Sequence, residues 1–356
     1  MGYKILAINP GSTSTKIALY EGEEKIMSDT INHPAEELNK FDRVIDQFQY
    51  RKDEILRFLK KENIKPEGLS AVVGRGGMLP PVEAGAYKIN EEMLYRLKNN
   101  PIIEHAANLG APIAYELAKP LGILSCIYDP VTVDQLEDIA RITGIPEVKR
   151  VSFSHVLNSR ATAMKAAKKL NKEYEDVNFI VAHIGGGISV ALHSHGRIID
   201  MLADDEGPFA PERAGRIPGK ELINICFSGK FDKKEVTRKM RGNAGLKAHL
   251  GTHDAMEVEK MITEGDCNAK LIYEAMAYQI AKGIGELATV VNGEVDAIVL
   301  TGGIAYSKMM TEMIIKRVEF IAPVMVEAGE NEMEALAFGA LRVLEGKETA
   351  KDYKEA

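Results

Sequence analysis

The sequence predicts two related α/β domains in one chain, and three observations carry that prediction. The 356 residues leave room for about two domains of ordinary size. Hydrophobic residues make up 45% and charged residues 27%, a globular composition with apolar material for two cores. Third, a strand–glycine turn–strand–turn–strand order near the N-terminus returns about 174 residues later.

The elements follow in order. Lys4 to Ile8 is an apolar strand, Asn9 to Ser14 a turn, and Thr15 to Tyr20 an alternating strand. Gly22 turns the chain into a third strand, Lys25 to Asp29. Apolar residues at helical spacing (Val44, Ile45, Phe48, Ile55, Leu56, Leu59) predict a helix over 41–61. Ser70 to Val73 is a buried strand ending in Gly74-Arg75-Gly76-Gly77, helices follow over 91–99 and 105–117, and Ser125 to Tyr128 is a strand ending in Asp129-Pro130. The second round runs through Phe179 to His183, Gly185-Gly186-Gly187, Ile188 to His193, Gly196, and Arg197 to Leu202. A long helix over 269–291, a buried strand Ala297 to Leu300 with Thr301-Gly302-Gly303 behind it, a strand Met325 to Glu327 and a helix from Met333 complete it. The chain from Glu345 onward reads as a charged, frayed tail. The expected division is 1–150 and 151–332, because Gly144-Ile145-Pro146 interrupts a helix there, with a C-terminal helical segment over 333–356 packing back on the first domain. Glycine turns repeated in a duplicated fold predict a cleft between the domains.

Composition excludes several classes. Lys plus Arg is 45 against 52 Asp plus Glu, a net charge of −7. That argues against nucleic-acid or membrane-surface partners, which select a basic excess. No run approaches the ~20 apolar residues of a membrane span, and Met1-Gly2-Tyr3-Lys4 leads straight into a strand with no signal-peptide pattern. The three cysteines, Cys126, Cys226 and Cys267, are far apart and odd in number, so a reducing cytoplasm is the expected setting.

Chemistry-bearing residues cluster at the turns. In Asn9 to Lys16, glycine and small hydroxyl residues let backbone N–H groups approach an anion, with Ser12 and Ser14 as side-chain donors and Lys16 as charge. A polar hairpin without a ligand is the other reading. Three adjacent glycines, Gly185, Gly186 and Gly187, cost conformational entropy that a close ligand approach explains, as against a flexible loop. Gly302 and Gly303 stand between a strand and a helix, where phosphate or adenosine binds; neither GxGxxG nor GxxxxGK[ST] is present. Arg75 and Arg213 sit among small residues, free to grip a carboxylate or phosphate through two parallel hydrogen bonds; a surface ion pair is the other reading of each. Asp129 ends a buried strand, where clefts form, and is a candidate for ordering Mg²⁺ or simply a turn residue before Pro130. Glu332 opens the last helix, either as a metal ligand or as an acid favoured by the helix dipole.

Taken jointly, these stretches resemble the acetate and sugar kinase/heat-shock cognate/actin superfamily, and within it the acetate/butyrate kinase family. The resemblance rests on Asn9 to Lys16, Gly74 to Gly77, Ala182 to Val190, Asp205 to Gly215 and Thr301-Gly302-Gly303, in the family's order over nearly the whole chain. It implies a duplicated actin-like (ribonuclease H-like) two-domain ATPase fold. It further implies reversible Mg-ATP-dependent phosphoryl transfer to the carboxylate of a short-chain fatty acid, butyrate or isobutyrate in size, giving acyl phosphate and ADP. Arg75, Arg213 and Asp129 match the family's catalytic residues, and His105 a histidine that positions the acid. His183 resembles the histidine beside the ATP phosphates. His155 stands near a transition-state histidine, although an ungapped match falls on Asn158, and the three candidates stay open. Asn9 and Glu332 match the Mg²⁺-supporting pair. Asp254, in His253-Asp254-Ala255-Met256, falls in the region flanking adenine.

The nucleophile needs no general base, since a carboxylic acid with a pKa near ~4 is ionised at neutral pH; the protein must position it and cancel charge. Domain closure would exclude water. Gly76 and Gly77, where acetate kinases carry two valines, suggest added room for a longer acid. An acetate or propionate kinase is the near alternative, and an actin- or chaperone-like nucleotide switch the distant one. The family resemblance also implies at least a homodimer.

Overall fold

The computed structural model describes residues 2–354. The chain forms two compact units, Met1–Asp134 with Asn331–Ala356, and Gln135–Glu330.

In the first unit a seven-stranded sheet is built from β1 (Lys4–Pro10), β2 (Ser14–Glu21), β3 (Glu24–Asn32), β4 (Ala71–Arg75), β5 (Ala86–Lys88), β6 (Leu124–Tyr128) and β12 (Lys351–Asp352), in the spatial order β12-β5-β6-β4-β1-β2-β3. β1 to β3 form an antiparallel meander, while β4 lies parallel to β1 and β6 parallel to β4. Buried parallel strands need apolar residues on both faces, and these read AVVG and CIY where they are most enclosed. Leu6, Ile8, Val72 and Ile127 share one hydrophobic cluster with the helix Gly110–Ala118. The alternate residues Ile5, Ala7, Ala71 and Val73 are equally buried, because successive side chains leave a strand on opposite faces. The helix Glu332–Leu344 packs on the same three parallel strands.

The second unit holds β7 (Asn178–Ile184), β8 (Ile188–Ser194), β9 (Arg197–Leu202), β10 (Ala297–Gly302) and β11 (Val324–Ala328), in the order β11-β10-β7-β8-β9. Their senses match β6-β4-β1-β2-β3: an antiparallel meander, then two parallel strands. The duplication read from the glycine turns is therefore a duplication of sheet topology. The 22-residue helix Cys267–Ala288 carries one core of this unit. The small-residue face of the helix Val156–Lys169 (Ala163, Ala166, Ala167) packs against Phe179, Val181 and Val299 in another.

Three details differ from the sequence reading. The helix expected over 41–61 begins at Phe48, after a 3₁₀ turn at Val44–Gln47. Residues 135–150 belong to the second unit: the Glu137 N–H donates to Ile199 O, and Arg150 binds Asp200 and Glu206. Residues 346–354 are neither frayed nor a continuation of the helix, which ends at Leu344, and the last two residues of the expected tail lie outside the described residues. Glu348 accepts from Ala86 N–H and from the Tyr128 hydroxyl, β12 pairs with β5, and Tyr353 is buried in the core cluster. Lys347 pairs with Glu345, Glu348 with Arg342, and Lys351 with Glu83 and Ala84 O.

Candidate active site

In each unit the residues singled out from the sequence gather at the C-terminal ends of parallel strands, the place where open α/β sheets bind ligands. In the first unit Asn9, Arg75 and Asp129 end the neighbouring strands β1, β4 and β6 or directly follow them, in register. Glu332 joins them from the start of its helix. It accepts from Asn9 Nδ2 at 2.7 Å and pairs with Arg75 Nη1. Burial works to raise the Glu332 pKa, but the Arg75 charge and hydrogen bond, the Asn9 bond and the Lys16 charge outweigh it and hold the carboxyl below its usual range. Lys16 is thus brought near this cluster, exposed on β2. The His105 Nδ1 accepts from the Ala107 N–H at 3.1 Å, which places a ring proton on Nε2. Partial burial first, and the Arg75 charge second, lower its pKa, so it is a neutral donor beside Arg75.

Asp129 is 1% exposed and accepts from the Gly85 N–H at 2.7 Å. Its φ is +40°, left-handed backbone that a non-glycine residue adopts at a cost of about 1–3 kcal/mol and mostly at functional sites. The strain turns the chain sharply at the end of β6.

Gly76 and Gly77 do not open space for a longer acid. A Cβ on Gly76 would stand 2.4 Å from Pro130 Cβ, and one on Gly77 would stand 2.7 Å from Asn108 Oδ1 and from Leu97 Cδ2. The missing side chains are replaced by close packing, so the sequence-based volume argument fails at both positions.

The turn from Gly11 to Ser14 is closed by Gly11 N–H donating to Ser14 O at 2.7 Å. Ser12 is exposed and Ser14 half-buried, with their carbonyls turned inward onto Arg51.

In the second unit a cavity of about 460 Å³ is lined by His155, His183, Gly186, Gly187, Glu212, Arg213, Arg241, Gly242 and Glu330. Arg213 lies on the triple glycine: a Cβ on Gly187 would meet its Nη1 at 2.2 Å. Gly186 faces open space, whereas Gly185 lies against the His183 ring. The buried Asp204 binds Arg213 at 2.8 Å and Arg241 at 2.6 Å, so one carboxylate fixes two guanidinium groups. His155 and His183 stack with centroids 3.9 Å apart and planes 11° apart. The His155 Nδ1 is 3.0 Å from Ser189 Oγ, and His183 Nε2 lies 4.0 Å from Glu330 Oε1. Asn158, 2% exposed, holds His183 Nδ1 at 2.9 Å and also donates to Thr301 Oγ1. Its amide orients His183 and does not line the cavity.

A second cavity of about 650 Å³ shares Gly186 and Glu212 with the first and extends past Asp254, Ala255, Met256, Gly303, Ile304 and Tyr306. Its apolar wall suits a flat heterocycle. The Asp254 carboxylate caps the helix Ala255–Thr263 through Met256 N–H, which positions the wall rather than presenting a free acid. Gly302 has φ +90° and passes against the Ile184 backbone, which no larger residue could do.

The residues expected to bind nucleotide are thus divided: Ser12, Ser14 and Lys16 in the first unit; Gly185–Gly187, Asp254, Gly302 and Gly303 in the second. Sequence reasoning missed Arg241, Asp204, Glu330 and Tyr306. Arg241 carried the signal that singled out Arg75, an arginine followed by glycine; the others carried none.

Comparison with known proteins accords with this geometry. The model of the acetokinase family matches residues 148–343. Butyrate kinase 2 of Clostridium acetobutylicum is 51% identical over 356 residues, covering 99% of this chain and all of that protein. Among solved structures, an acetate kinase from Porphyromonas gingivalis superposes with a TM-score of 0.81 at 20% identity, over 96% of this chain and all of that one. A propionate kinase from Francisella tularensis superposes with a TM-score of 0.75 at 20% identity, over 94% of this chain and 98% of that one. These two likenesses show the fold, the duplicated actin-like ATPase architecture that the sequence predicts. On the family match and the full-length relative together, the chain is a member of the acetokinase family.

Proposed function

We propose that the protein is a butyrate kinase: it transfers the γ-phosphoryl group of Mg-ATP, reversibly, to the carboxylate of a short-chain fatty acid, giving an acyl phosphate and ADP. The observation that carries this reading is the cavity in which Arg213 lies on Gly187 beside Arg241 and the stacked histidines. Clustered guanidinium groups and glycine N–H groups suit the stabilisation of a phosphoryl group in flight. The size of the acid rests on the relative from Clostridium acetobutylicum, since Gly76 and Gly77 give no added volume.

In this mechanism the carboxylate enters already ionised. Its oxygen forms a bond to the γ-phosphorus while the bond to the β–γ bridging oxygen breaks and ADP leaves with that electron pair; no proton moves. Arg75, paired with Glu332, binds the acid, and neutral His105 donates to it. Arg213 and Arg241 neutralise the equatorial oxygens of the phosphoryl group and His183 Nε2 hydrogen-bonds to them, with His155 stacked behind His183. Gly185–Gly187, Gly303 and the wall at Asp254 to Met256 take the nucleotide, and Ser12, Ser14 and Lys16 bind its phosphates.

The donor set fits Mg²⁺. The Asn9 amide nitrogen is used on Glu332, which leaves its oxygen for a cation, and Glu332 and Asp129 add carboxylates. No group of three or more His, Cys, Asp or Glu among the described residues is gathered closely enough to hold a metal. Asn9, Asp129 and Glu332 are the residues that would hold the ion, a sparse set of oxygen donors of the kind Mg²⁺ accepts. When bound it supplies charge neutralisation of the phosphates.

The test is acyl phosphate formation, trapped as the hydroxamate, with Mg-ATP and acids from acetate to valerate, including isobutyrate. A maximum at four carbons is expected. A maximum at acetate or propionate would replace the acid but keep the chemistry; ATP binding with no acyl phosphate from any acid would overturn the reading. Assembly as a homodimer or higher homo-oligomer in the cytoplasm belongs to the same proposal, and sedimentation velocity tests the assembly.

A further inference from the structure

Arg51 has no place in the mechanism above, yet it is the largest fully buried side chain of the protein's described residues. It stands on the helix Phe48–Lys61, and every acceptor of its guanidinium is neutral. Nε and Nη2 donate to Gln47 Oε1 at 3.0 and 2.8 Å. Nη1 donates to Gly11 O at 2.7 Å, Ser14 O at 3.1 Å and Thr15 Oγ1 at 3.3 Å, and Nη2 to Ser12 O at 3.0 Å. Among the described residues no carboxylate pairs with it. Burial lowers its pKa to about 10, which still leaves it charged at neutral pH.

A buried cation without a counter-ion is costly, and proteins keep one only where something else offsets the cost. Here the hydrogen bonds do part of that and also fix the turn. A trans peptide plane points its C=O and the following N–H in opposite directions. With the carbonyls of Gly11 and Ser12 aimed at Arg51, the N–H groups of Ser12 and Thr13 face away from it. Successive N–H groups so turned make an anion-binding concavity.

The geometry points to Arg51 as a positioning residue for phosphate: it shapes the Gly11–Ser14 turn from behind through three carbonyls, and a phosphate group of the nucleotide on the turn's other side supplies the counter-charge that the fold leaves out. This rests on the reading of that turn as a phosphate site. The ligand does not touch Arg51; the turn transmits both the geometry and the field.

The test compares R51M and R51K with the wild-type full chain. ATP affinity is measured by calorimetry, the stabilisation given by inorganic phosphate by thermal melting, and the KM values for ATP and for butyrate by hydroxamate formation. R51M is expected to bind ATP at least 10-fold more weakly and to lose most of the phosphate-dependent rise in Tm, with the butyrate KM within twofold of wild type. R51K keeps the charge but not the fork, and is expected to fall between. A merely structural arginine predicts a lower Tm with ATP affinity within twofold of wild type, and that result in either variant overturns the inference. If R51M does not fold, R51K alone decides: ATP binding weakened more than twofold supports the inference, and affinity within twofold of wild type overturns it. Wild-type protein that binds ATP but forms no acyl phosphate overturns the functional proposal while leaving this measurement intact, because it reads nucleotide binding and not turnover.

Discussion

The Gly187→Ala substitution isolates what Arg213 does. The added Cβ would stand 2.2 Å from Arg213 Nη1 and 2.6 Å from its Cζ, whereas comfortable contact begins near ~3.5 Å. The guanidinium must therefore retreat by about 1 Å, against a tether to Asp204 of 2.8 Å. A misplacement of that size at a reacting centre costs about 10²-fold in rate, similar to the 10²–10³-fold that removal of one transition-state donor costs, roughly. The fold should not suffer. Gly187 has no left-handed backbone to protect, the clashing atoms are the far end of a flexible side chain, and Gly→Ala adds about 0.4–1 kcal/mol by restricting the unfolded chain. The expected result is kcat down about 10²-fold with an equal or higher Tm. Gly186→Ala is the control. Its Cβ would meet nothing within 4 Å, so any loss there must come through the ligand, as a raised ATP KM. Full kcat in Gly187→Ala would refute the assignment of Arg213 to the transferring group, and a large fall in Tm would refute the packing argument.

Three further outcomes are expected. Gly76→Val and Gly77→Val should destabilise the protein by about 1–3 kcal/mol through overpacking, because Pro130, Asn108 and Leu97 fill the space; chemical denaturation should show the loss, and a stable variant with a switched preference from butyrate to acetate would restore the volume argument. Asp204→Asn should lower kcat and raise the ATP KM, since Arg213 and Arg241 lose their shared counter-ion, with the butyrate KM as the parameter least changed. Stability should fall on acidification from pH 7 to 5: burial first, and the Arg160 charge second, hold His193 at a pKa of about 3, below the unfolded ~6.5. The unfolded state then binds the extra proton, and the contribution, complete above ~6.5, weakens by about 2 kcal/mol at pH 5; urea titrations of wild type and His193→Gln at the two pH values measure it, the variant losing that part of the slope.

The duplication and the strand-end residues were legible because they obey local rules: glycine turns after apolar runs, and polar residues where those runs stop. What was not legible depends on distant partners. Nothing in the sequence at Asn158 shows that its amide is engaged by Thr301 and His183 on neighbouring strands. Asp204 reads as one more acid in an acidic loop until Arg213 and Arg241 close on it from either side. Asp129 defied the local rule outright, since a following proline favours extended backbone and its φ is +40°. Gly76 and Gly77 misled for the opposite reason. A missing side chain was read as space, but interiors are close-packed, and the neighbours of a glycine move in unless something else holds them away.

The two clusters solve one electrostatic problem in different ways. Every arginine assigned to a ligand here is already held by a carboxylate: Arg75 by Glu332, and Arg213 with Arg241 by Asp204. The ion pair restrains the guanidinium before the ligand arrives, so less side-chain freedom is lost on binding. It also cancels charge, and the stoichiometry decides how much. Arg75 and Glu332 balance one to one, which suits a singly charged carboxylate that must be oriented rather than gripped, beside the separate charge of Lys16. Asp204 serves two arginines, so that group of three keeps one positive charge in excess. A phosphoryl group passing between two oxygens spreads its charge over three others, and in the proposed transfer these are the oxygens that the two guanidinium groups would meet. The sharing of one buried aspartate by two arginines thus holds both guanidinium groups at one wall of the cavity with a single carboxylate between them.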